Sequence, residues 1–174
     1  MKIMIGCSSR SEISPKYLKL ADSVSKKCAE LGFELCFGAA STGMMGECAK
    51  NIDSVYSYTV SKYVDDLKNI NSKEEFILDT TFDRTKEMFY DSDIIILLPG
   101  GTGTLAEVFG ILEENRSIDN PKRVVLLNFD GYYDPIIRMI DNCIELNFNS
   151  ANIYDFIKVV TTEDELFQII KSVL

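Results

Sequence analysis

Three features of the chain predict an α/β fold, a doubly wound, Rossmann-like parallel sheet with helices on both faces. Short apolar strands alternate with amphipathic helical stretches, glycine- or serine-rich turns follow three of the strands, and Ile94 to Leu98 is an unbroken apolar run. A strand buried on both faces of a parallel sheet reads in this way, without polar alternation. The 174 residues suit one domain spanning 1–174, and neither a repeat nor a low-complexity linker interrupts them.

The elements follow in order. Lys2 to Gly6 reads as a first strand ending in Cys7-Ser8-Ser9, and is too short and too soon polar for a signal peptide. Pro15 suits the first turn of a helix in which Leu18, Ala21, Val24, Cys28 and Leu31 recur at three- and four-residue spacing, and Gly32 stands where a C′ glycine belongs. Phe33 to Phe37 forms a second strand that runs into the turn Gly38 to Gly46, with a helix continuing through Cys48 and Ala49. Val55 to Val60 is a third strand, followed by a polar connection through Asp65 and Asp66 and a weaker strand at Glu75 to Asp79. A helix from Phe82 to Tyr90 precedes the buried strand, and another runs from about Thr104 to Arg116. Val124 to Asn128 and Ile157 to Val160 complete the strands, with a helix at Pro135 to Leu146 between them. Thr162 to Glu165 is a capping box opening a last helix whose inner face carries Leu166, Ile169, Ile170 and Val173.

Composition narrows the function. A net charge of −9, with lysines scattered rather than clustered, argues against a nucleic-acid partner. No apolar run reaches the roughly 20 residues of a membrane span, so the expected location is cytoplasmic. Five cysteines without a Cys-x-x-Cys pair exclude the usual thiolate metal spacing, and Cys28 and Cys36 occupy apolar positions of their elements. The chain has no histidine, which removes serine–histidine and cysteine–histidine nucleophile machinery and leaves proton transfer to Asp, Glu, Lys, Tyr, Cys or water.

Ligands of such sheets bind beyond the carboxyl ends of the strands. The densest turn there is Pro99 to Thr104, where Gly100, Gly101 and Gly103 let the backbone turn sharply and approach a ligand, and Thr102 and Thr104 add hydroxyls. A helix start after it offers open amides and partial positive charge, a natural anion seat. The Walker pattern is absent. Gly101-x-Gly103-x-x-Ala106 fits a relaxed dinucleotide fingerprint but stands late in the chain, without an acidic ribose partner, so a nicotinamide oxidoreductase is a minor alternative. Taken singly, Glu107 reads as the far end of a Thr104–Glu107 capping box and Arg84 as a solvated helix charge. The residues alone therefore leave an enzyme and a non-catalytic nucleotide-binding or sensor protein both open.

Together, these segments resemble the Lonely Guy (LOG) family of cytokinin-activating phosphoribohydrolases, long labelled lysine decarboxylase-like in error. Pro99 to Glu107 matches its Pro-Gly-Gly-x-Gly-Thr-x-x-Glu signature, Leu127 to Tyr133 a second stretch, and Gly6 to Ser9 its opening turn. The resemblance implies hydrolysis of the N-glycosidic bond of a nucleoside 5′-monophosphate, AMP or an N6-substituted AMP, to free base and ribose 5-phosphate. It pairs Arg84, with Met88 in register, and Glu107 as catalytic residues. It assigns the nucleotide and its phosphate to Ser8, Gly43, Met45, Gly100, Gly101, Thr102, Gly103 and Thr104, and it implies a homodimer that needs neither metal nor organic cofactor. The chain departs from the family at Ala39 and Ala40, where glycines are usual and a Cβ opposes positive φ, and at Phe82 and Thr85, where histidine and lysine flank the arginine.

Overall fold

The computed structural model describes residues 1–174. Seven strands form one sheet, β1 (Lys2–Gly6), β2 (Glu34–Phe37), β3 (Val55–Val60), β4 (Glu74–Leu78), β5 (Ile94–Leu97), β6 (Arg123–Leu127) and β7 (Lys158–Val160). Every pairing is parallel and the order is β4-β3-β2-β1-β5-β6-β7. The chain thus builds outward from β1 to β4, returns to the far side of β1 as β5, and builds outward again. Between β1 and β5, where Met4 lies opposite Ile95, the winding reverses.

Strict alternation in the central strands divides the core in two. Ile3, Ile5, Leu35, Phe37, Ile94 and Ile96 face one side, where α1 (Pro15–Glu30), α2 (Gly43–Asn51) and α6 (Glu163–Lys171) lay down Leu20, Val24, Cys28, Met44, Cys48, Leu166 and Ile170. Met4, Cys36, Ile95, Leu97, Val124 and Leu126 face the other, covered by Met88 and Phe89 of α3 (Thr81–Asp91), Val108, Ile111 and Leu112 of α4 (Thr102–Ser117), and Ile140 of α5 (Asp134–Glu145). Both sides of the sheet are dry, which is why the central strands read as continuous apolar runs. Cys28 and Cys36 are buried among apolar neighbours as expected, and burial pushes the Cys28 thiol up to about 12. No helix is long and apolar enough to cross a membrane.

Local chemistry sets the ends of the helices. Pro15 opens α1, Gly32 takes φ +75° just beyond it, and the capping box of α6 forms as the spacing predicts. The polar connection through Asp65 and Asp66 is ordered as a 3₁₀ segment, Ser61–Asn69, which breaks at Tyr63 and packs on β3 and β4. The C-terminal end of α3 is closed from a distance. Lys122 donates to the carbonyls of Phe89, Tyr90 and Ser92 at 2.7, 2.8 and 2.6 Å, a cation at the negative end of the helix dipole. Replacing Lys122 by Met leaves those carbonyls open, and we expect urea denaturation to show a loss of about 1–2 kcal/mol.

Candidate active site at the winding reversal

A cleft of about 420 Å³ opens over the carboxyl ends of β1, β2 and β5, inside the roughly 300–1,000 Å³ range of small-molecule sites. Its polar corner is the start of α4. That helix begins at Thr102, two residues earlier than its hydrophobic pattern predicts, with Gly101 as an N-cap that supplies no side chain. Leu105 is the first amide to find a carbonyl, that of Gly101 at 3.0 Å, so the amides before it stay open at the positive end of the dipole. The predicted Thr104–Glu107 capping box is absent. With the helix starting early, Thr104 lies inside the first turn and donates instead to the carbonyl of Cys7 at 3.1 Å, tying α4 to the end of β1.

The glycines of this turn divide by role. A Cβ at Gly100 would lie 2.1 Å from Thr104 Oγ1, so only glycine lets the two strands of the turn approach there. At Gly101 and Gly103 a Cβ would meet nothing, and both line open space in the cleft. Gly100 does not line it; sharp turning belongs to Gly100, and accessibility belongs to Gly101 and Gly103. The stretch from Leu127 to Tyr133 holds the turn from behind. Buried Tyr133 donates to the carbonyl of Leu98 at 2.6 Å, Tyr132 donates to that of Gly100, and Asn128 holds the Tyr133 amide at 2.7 Å.

The turn after β1 forms the facing wall. Ser8 is buried, its hydroxyl accepting the Arg10 amide at 3.1 Å and its carbonyl accepting the Met45 amide at 3.2 Å. Met45 lines the cleft. Gly43, at φ +63°, does not: it lies under the turn, where a Cβ would come within 2.6 Å of Ser9 and Arg10 backbone atoms. Its part is to let α2 start against that turn.

Arg84 and Glu107 meet at the floor. Neither is solvated: Glu107 is 6% exposed and the Arg84 side chain 15%. Arg84 Nη2 stands 3.5 Å from Glu107 Oε1, a long ion pair, while Arg84 Nε is buried with no partner at all. Burial raises the Glu107 carboxyl from the usual 4.5 to about 7, against the pull of Arg84. A Cβ at Gly6 would come within 2.9 Å of Glu107 Oε2, so glycine at the end of β1 makes room for the carboxylate. A buried donor left open and a carboxylate poised near neutrality mark a place prepared for a further polar group.

The departures from the family signature have visible consequences. Ala39 adopts φ +57° and is 1% exposed, so the glycine conformation is kept in spite of the Cβ, at a cost of about 1–2 kcal/mol. Thr85 and Lys86 face a second groove, between α3 and α4, rather than the cleft itself. Arg10, Tyr63 and Asp66 line the cleft although nothing in their spacing announces it, because Arg10 sits on an irregular turn and Tyr63 and Asp66 on a short 3₁₀ segment. Nowhere do three His, Cys, Asp or Glu side chains converge as metal ligands would.

A doubly wound α/β domain with an uncapped helix start and a buried glutamate–arginine pair lining a cleft at the reversal of its winding is the class these features define. Residues 37–170 match the family model described as "possible lysine decarboxylase", and the chain belongs to that family, which includes the Lonely Guy enzymes. It is 26% identical over 176 residues to the cytokinin riboside 5′-monophosphate phosphoribohydrolase LOG2 of Arabidopsis thaliana, covering 98% of this chain and 83% of that protein. Against the rice enzyme LOG, of the same description, it is 27% identical over 170 residues, covering 95% and 70%. Among solved structures, the molybdenum cofactor carrier protein of Chlamydomonas reinhardtii superposes with a TM-score of 0.69 at 18% identity, covering 98% and 96% of the two chains. The molybdenum cofactor binding protein of Rippkaea orientalis gives 0.67 at 19%, covering 99% and 94%. At that identity they show a shared fold. The sequence relatives support nucleotide phosphoribohydrolase activity at the level of the family.

The Glu107 carboxyl yields a prediction with a definite sign. The native state keeps a proton that the unfolded chain loses between pH 4.5 and about 7. Stability from this group is therefore full below pH 4.5 and falls until about pH 7. Across that window the difference in unfolding free energy between wild type and Glu107→Gln should shift by roughly 3 kcal/mol, to the disadvantage of wild type at high pH. Urea titrations of both proteins at pH 4 and pH 8 measure it.

Proposed function

We propose that the protein hydrolyses the N-glycosidic bond of a purine nucleoside 5′-monophosphate, AMP or an N6-substituted AMP, to free base and ribose 5-phosphate. The observation that carries this reading is the buried Glu107 facing Arg84 beside the open amides of α4. The 5′-phosphate fits the amides of Thr102, Gly103 and Thr104, with the hydroxyls of Ser8 and Thr102 in the same cleft. That anchorage fixes the ribose over Glu107 and turns remote binding energy into positioning.

As the C1′–N9 bond breaks, its electron pair leaves with the base and the ribose takes on oxocarbenium character. An ionised Glu107 stabilises that charge and takes a proton from the water whose oxygen bonds to C1′. The departing base takes up a proton from solvent and Glu107 returns the proton it accepted to solvent, so atoms and charge balance. Arg84 lines the cleft, and its planar guanidinium is the group placed to contact a ribose or phosphate oxygen. All five thiols are free and four are buried, which supports a reducing compartment such as the cytoplasm.

The homodimer belongs to the same proposal. A groove of about 390 Å³ between α3 and α4, lined by Phe82, Thr85, Ala106 and Gly110, shares Arg84 and Gly103 with the cleft. Phe82 stands at its edge 83% exposed. A second copy seated there would wall the cleft from the side of Arg84. Sedimentation equilibrium is expected to give a dimer for wild type and a shift towards monomer for Phe82→Asp; monomer for both overturns this assignment.

Base release from AMP tests the chemistry. Glu107→Gln should lower kcat by at least about a hundredfold while nucleotide binding, followed by calorimetry, stays within about threefold. Retained turnover overturns the role given to Glu107. Tight binding by wild type without any base release makes the protein a nucleotide binder on this fold.

A further inference from the structure

The components of the cleft are laid out in a line along the carboxyl edge of the sheet. The open amides of α4 follow β5, and Glu107 Oε2 lies against the end of β1, 2.9 Å from where a Gly6 Cβ would be. Arg84 lies against the turn after β2, its Cζ 3.5 Å from the same point on Gly38. Beyond β3 come Tyr63 and Asp66, on the Ser61–Asn69 segment, lining the same cleft. From β5 to β3 is three strand spacings, each about 4.8 Å. That span is comparable with the length of an extended mononucleotide, and the order of groups is anion seat, carboxylate, guanidinium, then an aromatic ring beside a carboxylate.

On the reading given above, the phosphate and ribose take the first three places, and the base reaches the fourth. We infer that Tyr63 and Asp66 form the base-recognition wall, with the Tyr63 ring stacking on the purine and the Asp66 carboxylate accepting a hydrogen bond from an exocyclic N–H of the base. Tyr63 is 46% exposed, a large ring turned to solvent at the cleft edge, as a stacking platform requires. Asp66 is half-buried, and no cation lies within salt-bridge reach of its carboxylate, whereas the neighbouring Asp65 is paired with Lys68 at 2.5 Å. A carboxylate only accepts, so it selects a 6-amino purine, including one with a single N6 substituent, over a base that presents an oxygen or a fully alkylated nitrogen there.

The test compares AMP, N6-methyl-AMP, N6,N6-dimethyl-AMP and inosine monophosphate by base release and by titration calorimetry. Wild type should process AMP and N6-methyl-AMP alike and lose roughly tenfold in kcat/KM on the dimethyl and inosine nucleotides. Asp66→Ala should weaken AMP by a similar factor and bring all four nucleotides to within about threefold of one another. Tyr63→Ala should weaken all four together, leaving their ratios unchanged. Equal handling of AMP and dimethyl-AMP by wild type, or an unchanged ratio in Asp66→Ala, overturns the inference while leaving cleavage intact. Discrimination seen in binding without base release upholds the recognition wall and overturns the hydrolytic reading. Absence of both binding and turnover overturns both.

Discussion

Strands β1 and β5 lie side by side at the centre of the sheet, Met4 opposite Ile95, and the chain leaves them in opposite lateral directions. The turns that follow them must diverge, and a gap opens between them that no connection crosses. The hydroxyl of Thr104 on the carbonyl of Cys7 ties the two turns across that gap; Gly100 removes the Cβ that would strike Thr104, and Gly6 leaves room for the Glu107 carboxylate. Glu107 follows one helical turn later, so its burial over β1 is a consequence of the same tie. The aromatic prop from Tyr132 and Tyr133 then keeps the glycine turn from relaxing away.

Burial and pairing oppose each other at Glu107, and burial prevails. A tight ion pair with Arg84 would hold the carboxyl below its usual range, but at 3.5 Å the guanidinium compensates only in part. The arginine is itself incompletely satisfied. The pair therefore contributes little to holding the fold, while it concentrates unsatisfied polarity at one point of an otherwise dry core. A polar ligand that satisfies both groups recovers that desolvation cost on binding.

Much of this was legible in the amino-acid sequence, for identifiable reasons. Central strands buried on both faces leave uninterrupted apolar runs, and Pro15, Gly32 and Thr162 act within a few residues of themselves, so these elements fall where the pattern puts them. Thr104 misled because its partner, Cys7, is distant in the chain, and a local capping pattern looked sufficient. Gly43 and Gly100 stand behind the lining of the cleft, where a Cβ would strike the Ser9–Arg10 backbone or Thr104, a distinction that spacing alone does not carry. Tyr63 and Asp66 reach the cleft because β3 pairs with β2, and β2 with β1, while Arg10 follows β1 directly; neither a short 3₁₀ segment nor an irregular turn leaves a strong periodic trace.

The cleft draws on residues from 7 to 107, taken from the connections after β1, β2, β3 and β5 and from the N-terminal parts of α2, α3 and α4. No single element or turn contains it, and the corner at the start of α4 meets the other walls only once β5 lies beside β1. The site thus depends on the pairing of the sheet that spans the most sequence, β1 with β5, rather than on any local hairpin or helix. A ligand bound there is linked to the cooperative unfolding of the whole domain, not to the fraying of one loop, and its occupancy protects distant strands as much as the turns it touches.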